Sequence, residues 1–254
     1  MPSLPREIVD SIIDLLHDNP EALKRCCLVS SSWVARTRKY LFHHVHFKRS
    51  KQFSAWKEIF PDPIKSPAVY TRSLHFAHVE EVTEADASWI RSFTKVERLN
   101  LEIHLSDSIS RPLSLVPFHN LSPAVKSLEL SWAGLRLPKI FDLIFSLPPL
   151  EYMRVGGYGT IFSEDWDACR SPRPPVLTGT LVLGYRPDFV DQLLKLPLVF
   201  RFREIVAPPR GLRRVIFKGV RDIVERCFDT LESVNLECGT SAQSYLFGPQ
   251  RWVC

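Results

Sequence analysis

No apolar run in this chain comes near the roughly 18 residues that a membrane-spanning helix needs. The best attempt, residues 140–150, is broken by Asp142 and by Pro148-Pro149. A secretory leader is not expected either, because Pro2, Pro5, Glu7 and Asp10 stand where a charged head and an apolar run belong. The six cysteines (26, 27, 169, 227, 238 and 254) form no C-x-x-C pair and no disulfide rhythm, which fits a reducing compartment. The expected location is therefore cytoplasm or nucleus, with no membrane partner, and the sequon Asn120-Leu121-Ser122 reads as chance. Chemistry is missing too: there is no G-x-S-x-G, no P-loop, no H-E-x-x-H and no dinucleotide fingerprint. Gly156-Gly157-Tyr158-Gly159 imitates a phosphate loop but lacks the Lys-Ser/Thr ending, so a turn is expected. His43, His44 and His46 have no second cluster at ligand spacing. The expectation is a chain without catalysis, cofactor or metal.

What is present begins with a helical segment that is too apolar for its length. From Ile8 the apolar residues fall at 8, 9, 12, 13, 15 and 16. At 100° per residue they cover an arc of roughly 160°, wider than the roughly 100° stripe of an ordinary surface helix. Pro5 suits a helix start, and Glu7 complements the positive end of the dipole. Asp18-Asn19-Pro20 ends this helix, and a second runs over about 21–29 with Leu23, Cys26, Cys27, Leu28 and Val29. Ser30-Ser31-Ser32 caps a third, which carries Trp33, Val34, Tyr40, Leu41 and Phe42. Adjacent Cys26 and Cys27 point about 100° apart, so they read as small buried hydrophobes. Three short helices cannot hide this much surface among themselves, which implies a helix from another chain.

These residues resemble the F-box in its fungal, mushroom-type form. The matching positions are Leu4, Pro5, Glu7, Ile8, Ile12, Leu15, Leu16, Leu23, Cys27, Leu28, Val29, Ser30, Trp33, Arg38, Leu41 and Phe42. The resemblance implies docking on a Skp-type adaptor and, through it, attachment to a cullin–RING ubiquitin ligase. Carried over by position, Leu4, Pro5, Ile8, Val9, Ile12, Leu16, Leu28, Val29 and Trp33 are the candidate adaptor contacts. The motif alone does not separate those facing the adaptor from those facing the domain's own core.

Net charge is +5, and residues 1–60 hold 10 Lys/Arg against 6 Asp/Glu. Between 36 and 57, Arg36, Arg38, Lys39, Lys48, Arg49, Lys51 and Lys57 meet no acid, with Phe53 and Trp56 close by. A nucleic-acid patch has this composition; a solvated helix face with a linker is the plainer reading, and nucleic acid is not the expected partner.

Beyond residue 60 a unit recurs. Strand-like runs are centred on Leu74, Leu99, Leu128, Met153, Leu181 and Val234, separated by 25, 29, 25, 28 and 53 residues. The last gap has room for two units, and Phe202-Arg203-Glu204-Ile205-Val206 sits inside it. Helical patterns fill the gaps: Trp89, Ile90 and Phe93 after Thr83-x-x-Asp86; Ile140, Phe141, Ile144 and Phe145 after Pro138; Phe189, Val190, Leu193 and Leu194 after Pro187; and Ile223, Val224, Cys227 and Phe228. Periods of 20–29 with an L-x-x-L-x-L core resemble leucine-rich repeats, in which each unit needs its neighbours to bury its face. The array is degenerate: His104, Ala133, Tyr158 and Gly239 replace the usual Asn or Cys, and Thr178 stands where an apolar residue should open the fifth unit.

The expected fold class is thus mixed α/β: an N-terminal three-helix F-box over 1–47, a basic, proline-bearing linker over 48–69, a degenerate leucine-rich-repeat-like solenoid over 70–239 and an irregular tail over 240–254. Strand residues between the apolar ones would line a concave face, making Arg98, Asn100, Glu102, Ser127, Glu129, Ser131, Tyr152, Arg154, Ser233, Asn235 and Glu237 the candidate contacts for a protein substrate. Each also has a plainer reading as a solvent-facing polar residue. The expected function is the substrate-recognition subunit of an SCF-type ubiquitin ligase. The alternatives are a leucine-rich scaffold without degradative role and a nucleic-acid binder through 36–57.

Overall fold

A computed structural model describes residues 5–79, 82–104, 114–133, 137–158, 176–184, 187–196, 198–207, 214–236 and 243–246. The fold is mixed α/β. Three helices come first, α1 (Arg6–Leu15), α2 (Pro20–Val29) and α3 (Ser31–Leu41). Pro5 is the residue before α1 rather than its first turn. Asn19 does more than end α1: its side chain accepts the Ala22 N–H at 3.0 Å and starts α2 on Pro20. Ser30 caps α3, accepting the Ser32 N–H at 3.3 Å.

The rest is one sheet whose strands lie side by side in chain order: β1 (His44–Phe47), β2 (Ser73–Phe76), β3 (Arg98–His104), β4 (Ser127–Ala133), β5 (Tyr152–Tyr158), β6 (Val176–Leu183), β7 (Val199–Ala207), β8 (Ser233–Leu236) and β9 (Gln243–Leu246). The first eight are parallel and β9 is antiparallel to β8. Parallel neighbours cannot be joined by a tight hairpin and need crossovers. These carry α4 (Ser50–Ile59), α5 (Ala87–Arg91), α6 (Leu137–Ser146), α7 (Pro187–Lys195) and α8 (Arg214–Arg226).

Register confirms the periodicity residue by residue. Val45, Leu74, Leu99, Leu128, Met153, Leu181, Ile205 and Val234 stand opposite one another across all eight parallel strands. All eight are buried. Their spacing runs 29, 25, 29, 25, 28, 24 and 29, so Ile205 divides the long gap and Val45 adds a unit at the front.

The residue just before the paired segment of β1, β2, β3 and β4 ties that unit to the next through its carbonyl. His43 O accepts from Arg72 N–H (2.9 Å) and Ser73 N–H (3.0 Å). Arg72 O serves Glu97 and Arg98 in the same way, Glu97 O serves Lys126 and Ser127, and Lys126 O serves Glu151 and Tyr152. Ion pairs follow this edge: Arg72 Nη1–Glu97 Oε1 at 2.6 Å, Lys126 Nζ–Glu151 Oε1 at 2.9 Å and Arg203 Nε–Glu232 Oε1 at 3.9 Å. The Glu151 hydrogen bond holds the Lys126 ammonium above its ordinary pKa. Gly179 occupies this position in its unit with φ of 77°, and a Cβ there would lie 1.9 Å from Glu151 O. Glycine is the residue that relieves both constraints. The register shift between Gly179 and Thr180 lets β6 start early, with Leu177 against Phe200, which is why Thr178 is no gap in the pattern.

Two expectations change. Segment 48–69 is not a linker: α4 buries Phe53 and Trp56 against Phe47 and Phe76, with Phe53–Phe47 ring centroids 5.1 Å apart and Trp56–Phe47 5.7 Å. Hydrophobic burial outweighs the segment's basic composition, and the sheet begins at His44 rather than near 70. Gly156 and Gly157, expected in a turn, are strand residues of β5 opposite Ser131 and Trp132. A Cβ on Gly184 would lie 2.6 Å from Gly156 Cα, so the chain passes close there.

Candidate functional site

The helical unit is built around Val9, Ile13 and Leu23, with Leu16, Trp33, Tyr40 and Leu41 partly buried against them. A polar knot braces it. Arg36 grips Asp14 with both arms, its Nε 2.7 Å from Oδ1 and its Nη2 on Oδ2, while Tyr40 donates to Asp14 Oδ1 at 2.8 Å. These bonds, the Arg36 one foremost, hold the Asp14 carboxyl down at about 2. Phe42 joins the unit to the sheet, meeting Trp56 edge-on at 5.6 Å and Phe60 at 6.2 Å.

What this small core leaves outside is apolar. Ile8 (48 % exposed), Ile12 (38 %) and Leu15 (82 %) follow one another at i, i+4 and i+7 along α1, and Leu28 (87 %) and Val29 (65 %) end α2. Of the candidate adaptor contacts, Pro5, Ile8, Ile12, Leu28 and Val29 are exposed; Leu16 and Trp33 are half-buried. Val9 turns inward and belongs to the core, because α1 has room for one buried ridge and Val9–Ile13 is that ridge. Leu4 lies outside the described residues. Leu15, which was not among those candidates, continues the exposed series of Ile8 and Ile12. Cys26 is buried, as its reading as a small hydrophobe requires, and Cys27 Sγ meets Thr37 Oγ1 at 2.9 Å.

The second candidate surface is the sheet face opposite the helices. Register places His44, Ser73, Arg98, Ser127, Tyr152, Thr180, Glu204 and Ser233 in one row across the strands. A second row holds His46, His75, Asn100, Glu129, Arg154, Val182, Val206 and Asn235. Every expected substrate contact within the described residues therefore shares one face, with Glu102 and Ser131 paired just beyond; Glu237 lies outside them. The sequence reading missed His44, His46, Ser73, His75, Thr180 and Glu204, which only the register reveals. Bonds along the rows pre-set several side chains: Asn235 Nδ2 donates to Glu204 Oε1 at 2.7 Å, and Thr180 Oγ1 donates to Glu204 Oε2 at 3.2 Å. Burial pushes the Tyr152 hydroxyl pKa up, and the Glu129 charge adds to it.

The basic segment is partly consumed. Arg36 is committed to Asp14 and Asp10, and Lys57 Nζ lies 2.5 Å from Asp86 Oδ1. Burial raises the Asp86 carboxyl, but the Lys57 and Thr83 hydrogen bonds outweigh it and leave the group below its ordinary pKa. Phe53 and Trp56, the rings that would stack on bases, are buried. Among the described residues no His, Cys, Asp and Glu group is placed to hold a metal ion, and no helix is long and apolar enough to cross a membrane. No family model, curated protein or solved structure matches this chain.

Proposed function

We propose that the chain is the substrate-recognition subunit of an SCF-type ubiquitin ligase. The N-terminal helices dock on a Skp-type adaptor, which connects to a cullin–RING ligase, and the open sheet face, read as a degenerate leucine-rich-repeat solenoid, holds a target protein. The chain contributes no chemistry; it raises the target's effective concentration near the conjugating machinery.

One observation carries this reading: Ile8, Ile12, Leu15, Leu28 and Val29 stay in solvent although a large core lies within reach of the same chain. Each such side chain gains roughly 1.5–3 kcal/mol on full burial. Five together offset much of the roughly 4–15 kcal/mol that association costs. The test is binding of the full chain to a purified Skp-type adaptor by calorimetry. A complex that Ile8→Ala with Leu28→Ala dissolves, in a chain that still melts cooperatively, supports the reading. Absence of binding, or binding indifferent to the pair, overturns it.

A further inference from the structure

Five of the eight histidines (43, 44, 46, 75 and 78) fall between residues 43 and 78, and four of them meet at one end of the open sheet face. His46 and His75 are register partners on β1 and β2, their rings stacked 3.9 Å apart at 11°. His43 Nδ1 lies 3.0 Å from His44 Nε2, a contact in which one ring must be neutral to accept. Arg98 stands exposed in the row of His44 and Ser73. Lys48 follows the end of β1, and Arg72 sits at the adjoining edge, bonded to Glu97. Glu97 acts on His43 and Glu102 on His46, Glu102 takes His75 Nε2 at 2.9 Å, and Glu129 stands one strand further on, opposite Asn100. Asn100 and Ser73 complete it without charge.

Lys48, Arg72 and Arg98 against Glu97 and Glu102 leave one net positive charge while the histidines are neutral, and five when His43, His44, His46 and His75 are all protonated. Few surfaces of this size change charge so far near neutrality, because only histidine titrates there unaided. In the free protein burial lowers the pKa of His43 and His46 and so favours their neutral form, and neighbouring cations and histidines lower it further. An arriving anion removes that opposition.

We propose that the β1–β3 end of the open face docks an extended, acidic segment of the target protein and takes up protons as it does so, binding more tightly as pH falls. The proposal rests on the open face being the target surface. Adjacent strands are about 4.8 Å apart, and an extended peptide repeats on one side about every 6.6 Å. A segment with acids at alternate positions therefore sets two carboxylates across β1–β3, beside His44, His46 and Arg98. A nucleic acid suits the patch less, since Phe53 and Trp56 are buried.

The test uses the full chain and a fluorescein-labelled ten-residue peptide of alternating Glu and Ser, followed by anisotropy at fixed low salt. Binding should be about tenfold tighter at pH 6 than at pH 7.5, an interval in which glutamate keeps its charge and histidine gains one. His46→Gln with His75→Gln should remove most of that dependence, whereas Arg98→Gln should weaken binding at both values and keep it. If the double variant does not fold, the wild-type histidine resonances decide: His44 and His46 must shift toward the protonated position when peptide is added at pH 7. Binding independent of pH, resonances that stay still, a double variant with undiminished dependence, or tighter binding of an oligo-dT of equal charge overturns the proposal. The assay contains no adaptor, so its failure leaves adaptor docking standing, and failure of adaptor docking leaves the peptide result intact.

Discussion

Among the described residues, Val9, Ile13 and Leu23 form the buried apolar cluster of the helical unit, while the sheet closes an inward row at every parallel strand from Val45 to Val234. The two regions draw on similar apolar content and use it differently. In the sheet, each inner strand is sealed by the strand on either side and by a crossover, so apolar residues end up inside. The helical unit has neighbours on one side only, and its remaining apolar residues form a rim. Burial in the sheet fixes shape; at the rim Ile8, Ile12, Leu15, Leu28 and Val29 remain in solvent.

The comparison breaks most directly in the sheet. Leu99 is buried between Leu74 and Leu128, and Leu99→Ala should lose roughly 2–5 kcal/mol by urea denaturation. Gly179→Ala should follow closely, at about 3 kcal/mol, because a left-handed backbone and the Glu151 carbonyl both oppose a side chain. An unchanged midpoint for either would mean that the rows do not carry the sheet.

The rim should answer in reverse. Leu28→Ala or Leu15→Ala should move the urea midpoint by an amount within about 0.5 kcal/mol, yet weaken adaptor binding by about 10–100-fold, the equivalent of burying one such side chain. A rim substitution that unfolds the chain would erase the distinction.

The smallest effect concerns acid. Asp14 is held at about 2 in the folded chain and returns to about 3.9 unfolded. Its lowered value stabilises the helical unit above about pH 4, and that contribution is lost as pH falls through about 2. Exposure and salt screening keep it to about 1 kcal/mol or less. Asp14→Asn should flatten this part of the pH–stability curve, while the transition of the sheet stays put.

The inward strand residues were legible because a two-residue alternation of Leu, Ile and Val suits a strand buried on one face and little else. Leu74, Leu99, Leu128 and Met153 stood at their register positions on sequence alone. His44 and His46 suggested a short strand leaving the helices, but its pairing with β2 was hidden, because Val45 and Phe47 lie 29 residues from their partners Leu74 and Phe76. Phe53 and Trp56 were hidden by the lysines and arginines around them, since composition over a window obscures two rings at helical spacing. On the open face, Arg98, Asn100 and Glu129 could be read from single strands. The stack of His46 on His75 could not, because it joins residues 29 apart in sequence. At the rim, the apolar series in α1 did not distinguish exposed Ile8 from buried Val9, neighbours about 100° apart on the helix, because the difference depends on where α3 packs.

The row of paired N–H bonds onto His43, Arg72, Glu97 and Lys126 carbonyls makes alignment a property of the main chain. Side chains at the strand ends can then differ from unit to unit, as His104, Ala133 and Tyr158 do, without any strand losing its place. A lineage with this scaffold can rewrite its outward letters at little structural risk, and new recognition can evolve on an unchanged skeleton.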